Sequence, residues 1–200
     1  MGLFYFLKFF KSNKVSTTNF DSNEYVPAFW EDDYCQVEIV PFENKEFILK
    51  QARQIDELAG KSKNDYGFSE IFGRDEMLTA TISKKIRIDY LENTLTSFQF
   101  QKAKHIRYDK GTILNCETGK TKAFGFSNFT IFFDTEDELV KNIWIDIGLI
   151  VSVKQFDLIE SALHSLGQKC GLILIDWNSL KLFDLADKTQ IQNYLMRMFK

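Results

Sequence analysis

Between Ile82 and Phe133 the chain runs as short stretches rich in Ile, Phe, Tyr and Thr, punctuated by Asp109-Lys110-Gly111, Glu117-Thr118-Gly119 and Ser127-Asn128. β-Branched and aromatic residues favour extended backbone, while Gly, Asn, Asp and Ser supply the conformations that reverse it. The stretches follow one another too closely for a crossover helix, which parallel pairing requires, so neighbouring strands must pair antiparallel. The expected strands are Lys84 to Tyr90, Phe98 to Tyr108, Thr112 to Cys116, Lys120 to Phe126 and Phe129 to Phe133. With 20 Phe against only 2 Pro and 10 Gly, large rings held in regular elements should dominate the interior, with the phenylalanines gathered on one face of this meander.

The flanks add helices. Tyr34 to Val40 alternates Cys35, Val37 and Ile39 with Gln36 and Glu38, the period of a half-buried strand, and Pro41 stops it. Asn44 is placed to cap a helix over Lys45 to Ala59, where Ile48, Ala52, Ile55 and Ala59 share a face and Gly60 fits the position after the end. Lys61 to Arg74 reads as a long connection. After Asp134, Ile143 to Val151 reads as a strand, and Ser152-x-x-Gln155 is a capping-box pattern opening a helix over Val153 to Leu166 before Gly167. Gly171 to Trp177 and Leu180 to Asp184 read as a hairpin about Asn178-Ser179, and Asp187 caps a last helix carrying Ile191, Tyr194, Leu195 and Met198. These elements define an α+β fold, an antiparallel meander sheet packed with three to four helices, in a single domain over residues 23–200.

Residues 1–22 are set apart as an aromatic segment and a polar tether. Met1 to Lys11, MGLFYFLKFFK, is roughly half the ~20 residues a spanning helix needs, and Phe6 stands where a myristoylation pattern needs Ser or Thr. It lacks the basic start and small-residue cleavage pattern of a secretory signal, so a cytoplasmic location is expected. Residues 1–11 therefore form either a short helix packed on the body or a weak contact with a membrane surface or a partner.

Composition and motifs remove many chemistries. A net charge of −3 offers no global attraction to a polyphosphate backbone, so nucleic acid is not an expected partner. Cys35, Cys116 and Cys170 are odd in number and widely spaced, which indicates neither a disulfide framework nor a zinc site. The phosphate-cradling patterns GxGxxG and GxxxxGK[ST], the nucleophile elbow GxSxG and the zinc motif HExxH do not occur. His105 and His164, the only histidines, read as structural. Lys102, Lys104, His105, Arg107 and Lys110 form a basic stripe beside Tyr108, but alternation divides it between two faces. No catalytic residue, cofactor or metal is assigned.

Two acidic groups stand out as surface. Glu31, Asp32 and Asp33 lie between Trp30 and Tyr34, and aromatic anchors beside charge give both affinity and fast association with a basic partner. Asp134, Glu136, Asp137 and Glu138 could in principle hold a hard cation, but Thr135 to Glu138 fits a capping box whose acids complement a helix dipole. The candidate partner-binding set is thus Trp30, Glu31, Asp32, Asp33, Tyr34, Glu136, Asp137 and Glu138.

The aromatic-basic start with its polar tether, the run Leu172-Ile173-Leu174-Ile175-Asp176-Trp177, Asp184-Leu185 and Tyr194-Leu195 together resemble bacterial immunity proteins of polymorphic or type VI secretion toxin systems. The resemblance implies a non-enzymatic protein that binds one cognate toxin and occludes its active site, and it carries over no individual residue. A scaffold or regulatory module attaching through its amino-terminal segment is the alternative reading, and an enzyme of unrecognised type is a third.

Overall fold

A computed structural model describes residues 24–64, 67–68, 73–109 and 111–199; the expected amino-terminal segment and tether lie outside them. In chain order the elements are β1 (Ala28–Phe29), β2 (Val37–Pro41), α1 (Lys45–Ser62), β3 (Lys63–Asn64), β4 (Gly67–Phe68) and α2 (Ile88–Ser97). There follow β5 (Gln101–Lys102), β6 (His105–Tyr108), β7 (Thr112–Asn115), β8 (Thr121–Phe126), β9 (Phe129–Glu136) and β10 (Leu139–Ile147). The chain closes with α3 (Val153–Cys170), β11 (Leu172–Asp176), β12 (Lys181–Asp184) and α4 (Lys188–Leu195). Seven strands form one antiparallel sheet in the order β12-β11-β2-β10-β9-β8-β5. A second sheet, β1-β6-β7, is three-stranded, and β3 and β4 pair by themselves. The fold is α+β.

The strand period of two divides the large sheet between two layers. Phe124, Phe129, Ile131, Phe133, Ile143, Ile145, Leu172 and Leu174 share a core with Leu91 and Leu95 of α2, Leu163 and Leu166 of α3, and Tyr194 and Leu195 of α4. On the opposite face Phe132 and Trp144 meet Phe29, Ile106 and Leu114 of the small sheet. Beside them Val40, Ile173 and Ile175 meet Ile48 and Ile55 of α1. The phenylalanines therefore do not all share one face, because Phe132 turns towards the small sheet. Close approach fixes two glycines: a Cβ on Gly125 would meet the Tyr25 hydroxyl at 2.6 Å as well as the Phe129 carbonyl, and one on Gly167 would strike the Leu185 backbone.

Several local expectations give way to tertiary context. The segment 84–90 is not a strand: Thr81–Lys84 forms a 3-10 turn and α2 begins at Ile88. Ile88, Leu91 and Leu95 recur at helical spacing, and burying Leu91 and Leu95 under the sheet outweighs the β preference of the isoleucines. The expected strand 98–108 breaks, with Gln99 left-handed at φ 62°, β5 ending in the large sheet and β6 beginning in the small one.

The acidic run 134–138 is likewise no helix start. It completes β9 and turns at Asp137 (φ 48°) and Glu138 (φ 63°) into β10. Successive left-handed residues match the twist of a two-residue hairpin, a conformation Asp tolerates better than most residues. The next strand therefore starts at Leu139, ahead of the expected Ile143. Asn44 does not cap α1: fully buried, it donates to the Thr79 carbonyl (2.8 Å) and accepts from the Thr79 amide (2.9 Å). Gly60 and Gly167 lie inside helices, and Gly171, left-handed at φ 63°, ends α3.

Candidate partner-binding surface

The aromatic and acidic turn at 30–33 is held from both sides. Phe29, 2% exposed, packs edge-on against Phe132 (5.0 Å between centroids) and Trp144 (5.7 Å). Alternation then turns Trp30 outwards, where it is 54% exposed. Glu31–Asp33 forms a 3-10 turn, and a carboxylate oxygen of Asp33 accepts the Trp30 amide at 3.2 Å. Tyr34 returns the chain to the interior: its hydroxyl donates to Asp134 Oδ2 (2.9 Å) and accepts from Asn142 (3.2 Å), and its ring lies 4.7 Å from that of Trp144. Trp30, Glu31, Asp32 and Asp33 are thus an exposed knuckle between the buried ring of Phe29 and the half-buried ring of Tyr34.

The small sheet adds residues that sequence reasoning missed. β1 pairs in parallel with β6, Phe29 opposite Tyr108, and the Asp109 amide donates to the Phe29 carbonyl at 3.1 Å. Tyr108 is held above the usual tyrosine range by burial, then by the charges of Glu31 and Asp109. Asp146 is raised by burial and then by Asp33. Tyr108, Asp109 and Asp146 therefore share the electrostatic environment of the knuckle, so Tyr108 belongs with acidic neighbours as well as with the basic stripe. That stripe is dispersed: Lys102 pairs with Glu92 (2.7 Å) from the large sheet, and His105 Nδ1 lies 2.8 Å from Glu24 in the small one. Arg107, exposed opposite Ala28, bounds the acidic area on that side. An open groove of about 840 Å³ adjoins it, with Tyr25, Ala28, Asp146 and Lys154 in its walls.

The second acidic group lies along the β9–β10 hairpin. Asp134 and Glu136 share one face of β9, so the Tyr34 bond brings the knuckle within one strand repeat of Glu136. Glu136 pairs with Lys141 at 2.5 Å, and this bond holds its carboxyl below the ordinary range. Asp137 and Glu138 are exposed at the tip, where the Glu138 carbonyl accepts the Ile88 amide at 3.2 Å. The sequence groups Glu136, Asp137 and Glu138 together, but Glu136 is already paired.

A polar seam lies under the knuckle. Glu38 Oε1 accepts from Arg74 (3.1 Å) and from the Trp177 indole (3.2 Å), while the Arg74 guanidinium sits 4.8 Å above the Trp177 ring and also reaches the Cys35 carbonyl at 3.1 Å. Burial pushes Glu38 up to about 7 against the opposing charge of Arg74. Cys35 is raised well above its usual value by burial, then by Glu38 and Asp134, and burial pushes Cys116 up to about 12. Both remain protonated thiols at neutral pH, the weakly nucleophilic form. Among the described residues no group of three or more His, Cys, Asp or Glu is arranged to hold a metal ion, and no helix is long and apolar enough to cross a membrane. The chain matches no family model, no curated protein and no solved structure.

Proposed function

We propose that this chain is a non-enzymatic binding protein of the immunity type, which neutralises a cognate bacterial toxin in the cytoplasm by docking its acidic knuckle onto a basic surface. The carrying observation is the exposed Trp30, fixed between buried Phe29 and half-buried Tyr34 and flanked by Glu31, Asp32 and Asp33. A large ring whose backbone is already ordered loses little entropy on docking, which is the property of an energetic anchor. The carboxylates serve a different purpose. Their field steers a basic partner towards the ring and accelerates encounter, and salt weakens that effect. Tyr108 and Asp109 extend the same surface, and Asp137 and Glu138 offer further charge at the hairpin tip.

The test uses the cognate toxin domain that this reading requires. Glu31→Lys, Asp32→Lys and Asp33→Lys combined should slow association about tenfold or more at low salt and flatten its salt dependence. Trp30→Ala should instead speed dissociation, at a cost of about 2 kcal/mol or more. Stopped-flow association rates left unchanged by the triple reversal would remove the knuckle from the account.

A further inference from the structure

Away from the knuckle, the segment after the Thr81–Lys84 turn passes the end of α3, and between them lies a groove of about 570 Å³. Lys84, Lys85, Arg87 and Lys169 line it together with Tyr90, and no carboxylate does. That is a local inversion in a chain with 28 acidic residues against 25 basic ones. Like charges gathered in a concave place repel one another and concentrate positive potential there, which an anion relieves.

The anions of the chain itself satisfy half of the set. Glu43 takes Lys84 and Asp89 takes Arg87, each at 3.0 Å and each from outside the groove, and Glu138 adds its charge near Arg87. The ammonium groups of Lys85 and Lys169 have no ion-pair or hydrogen-bond partner among the described residues. Lys85 sits in the left-handed region at φ 54°, its amide fixed on the Ile82 carbonyl at 3.0 Å. Tyr90, 39% exposed, lines the groove together with Cys170. Cations also complement the carbonyls that end α3, where Gly171 leaves backbone open beside Lys84 Nζ. That role accounts for Lys84 and Lys169, and leaves Lys85 and the ring of Tyr90 unexplained.

We propose that this groove binds a small phosphate-bearing molecule, its phosphate between Lys85 and Lys169 and its planar or sugar portion against Tyr90. Ammonium groups serve a phosphate as point charges, needing none of the flat bidentate geometry that favours arginine for carboxylates. A nucleic acid would need an extended basic track, whereas these cations are confined to one pocket.

Titration calorimetry of the full chain at low salt tests this, with AMP and inorganic phosphate as probes. AMP should bind saturably and more tightly than phosphate, Lys85→Glu with Lys169→Glu should weaken it by about tenfold or more, and Tyr90→Ala should erase the margin over phosphate. Should the double variant fail to fold, Lys85→Gln alone should weaken AMP by a smaller factor. No saturable binding of either anion at millimolar concentration, or binding that these lysine variants leave intact, would overturn the proposal. Equal affinity for AMP and phosphate would overturn the seat on Tyr90. Toxin association is a separate readout, which these variants should not change.

Discussion

Replacing Trp144 with alanine should lower the unfolding free energy by about 3–5 kcal/mol, the range for deleting a large buried aromatic. Trp144 is 1% exposed and occupies the junction of the large sheet, the small sheet and the knuckle. It stacks on Phe132 (5.5 Å, 13° between planes) and meets Phe29 and Tyr34 edge-on. Its removal leaves a cavity where three neighbours cannot close in together, because Phe29 and Phe132 belong to different sheets and Tyr34 is tied to Asp134. The indole N–H has no hydrogen-bond partner among the described residues, so it contributes nothing that phenylalanine would lose. Trp144→Phe should therefore cost much less, under about 1.5 kcal/mol. The check is the urea midpoint of both variants with an unchanged m-value. A loss below about 1 kcal/mol for alanine would mean that the large and small sheets do not pack through this ring. Since the ring supports both anchors of the knuckle, the alanine variant should also weaken toxin binding.

Stability should fall as pH rises from about 5 to 7, and Glu38 should be the main cause. Its folded value, about 7, lies above the 4.5 of the free side chain, and burial is the first cause. Between those values the folded chain binds more protons at this site than the unfolded chain, so raising the pH favours unfolding. A tenfold difference in proton affinity between the two states is worth about 1.4 kcal/mol, so the whole window carries on the order of 2–3 kcal/mol. Asp134 and Asp146 are raised by burial as well and act in the same direction, at pH values starting from a lower reference. Glu38→Gln preserves an acceptor for Trp177 and removes the ionisation, so the difference between the two proteins isolates this carboxyl. Urea unfolding at about pH 5 and about pH 7 should show that difference growing in favour of glutamine as pH rises. A constant difference would place the Glu38 carboxyl in contact with solvent.

What the sequence made legible depends on how local each signal was. The Ser152 cap of α3 accepts the Gln155 amide at 3.2 Å and Asp187 accepts the Thr189 amide at 2.9 Å, both as their neighbours in sequence predict. The β8–β9 turn at Ser127-Asn128 and the β11–β12 hairpin were equally local. Asp137 and Glu138 misled because an acidic run serves a helix start and a left-handed hairpin turn alike, and pairing of β9 with β10 decided between them. α2 was hidden because its buried residues are also good strand formers. In the proposed binding surface, Trp30 to Asp33 could be read from exposure of charge beside a ring. Tyr108 and Asp109 could not, since only the parallel pairing of β1 with β6 brings them there. Tyr34 looked like part of the surface and is turned inward by its bond to Asp134.

Amide hydrogen exchange of the chain, alone and with the toxin proposed as its partner, tests the central claim most directly. Docking through the knuckle should slow exchange across Ala28 to Asp33 and at Tyr108 and Asp109, with no comparable change in α3. Protection confined to α3 and α4, with the knuckle exchanging freely in the complex, would contradict it.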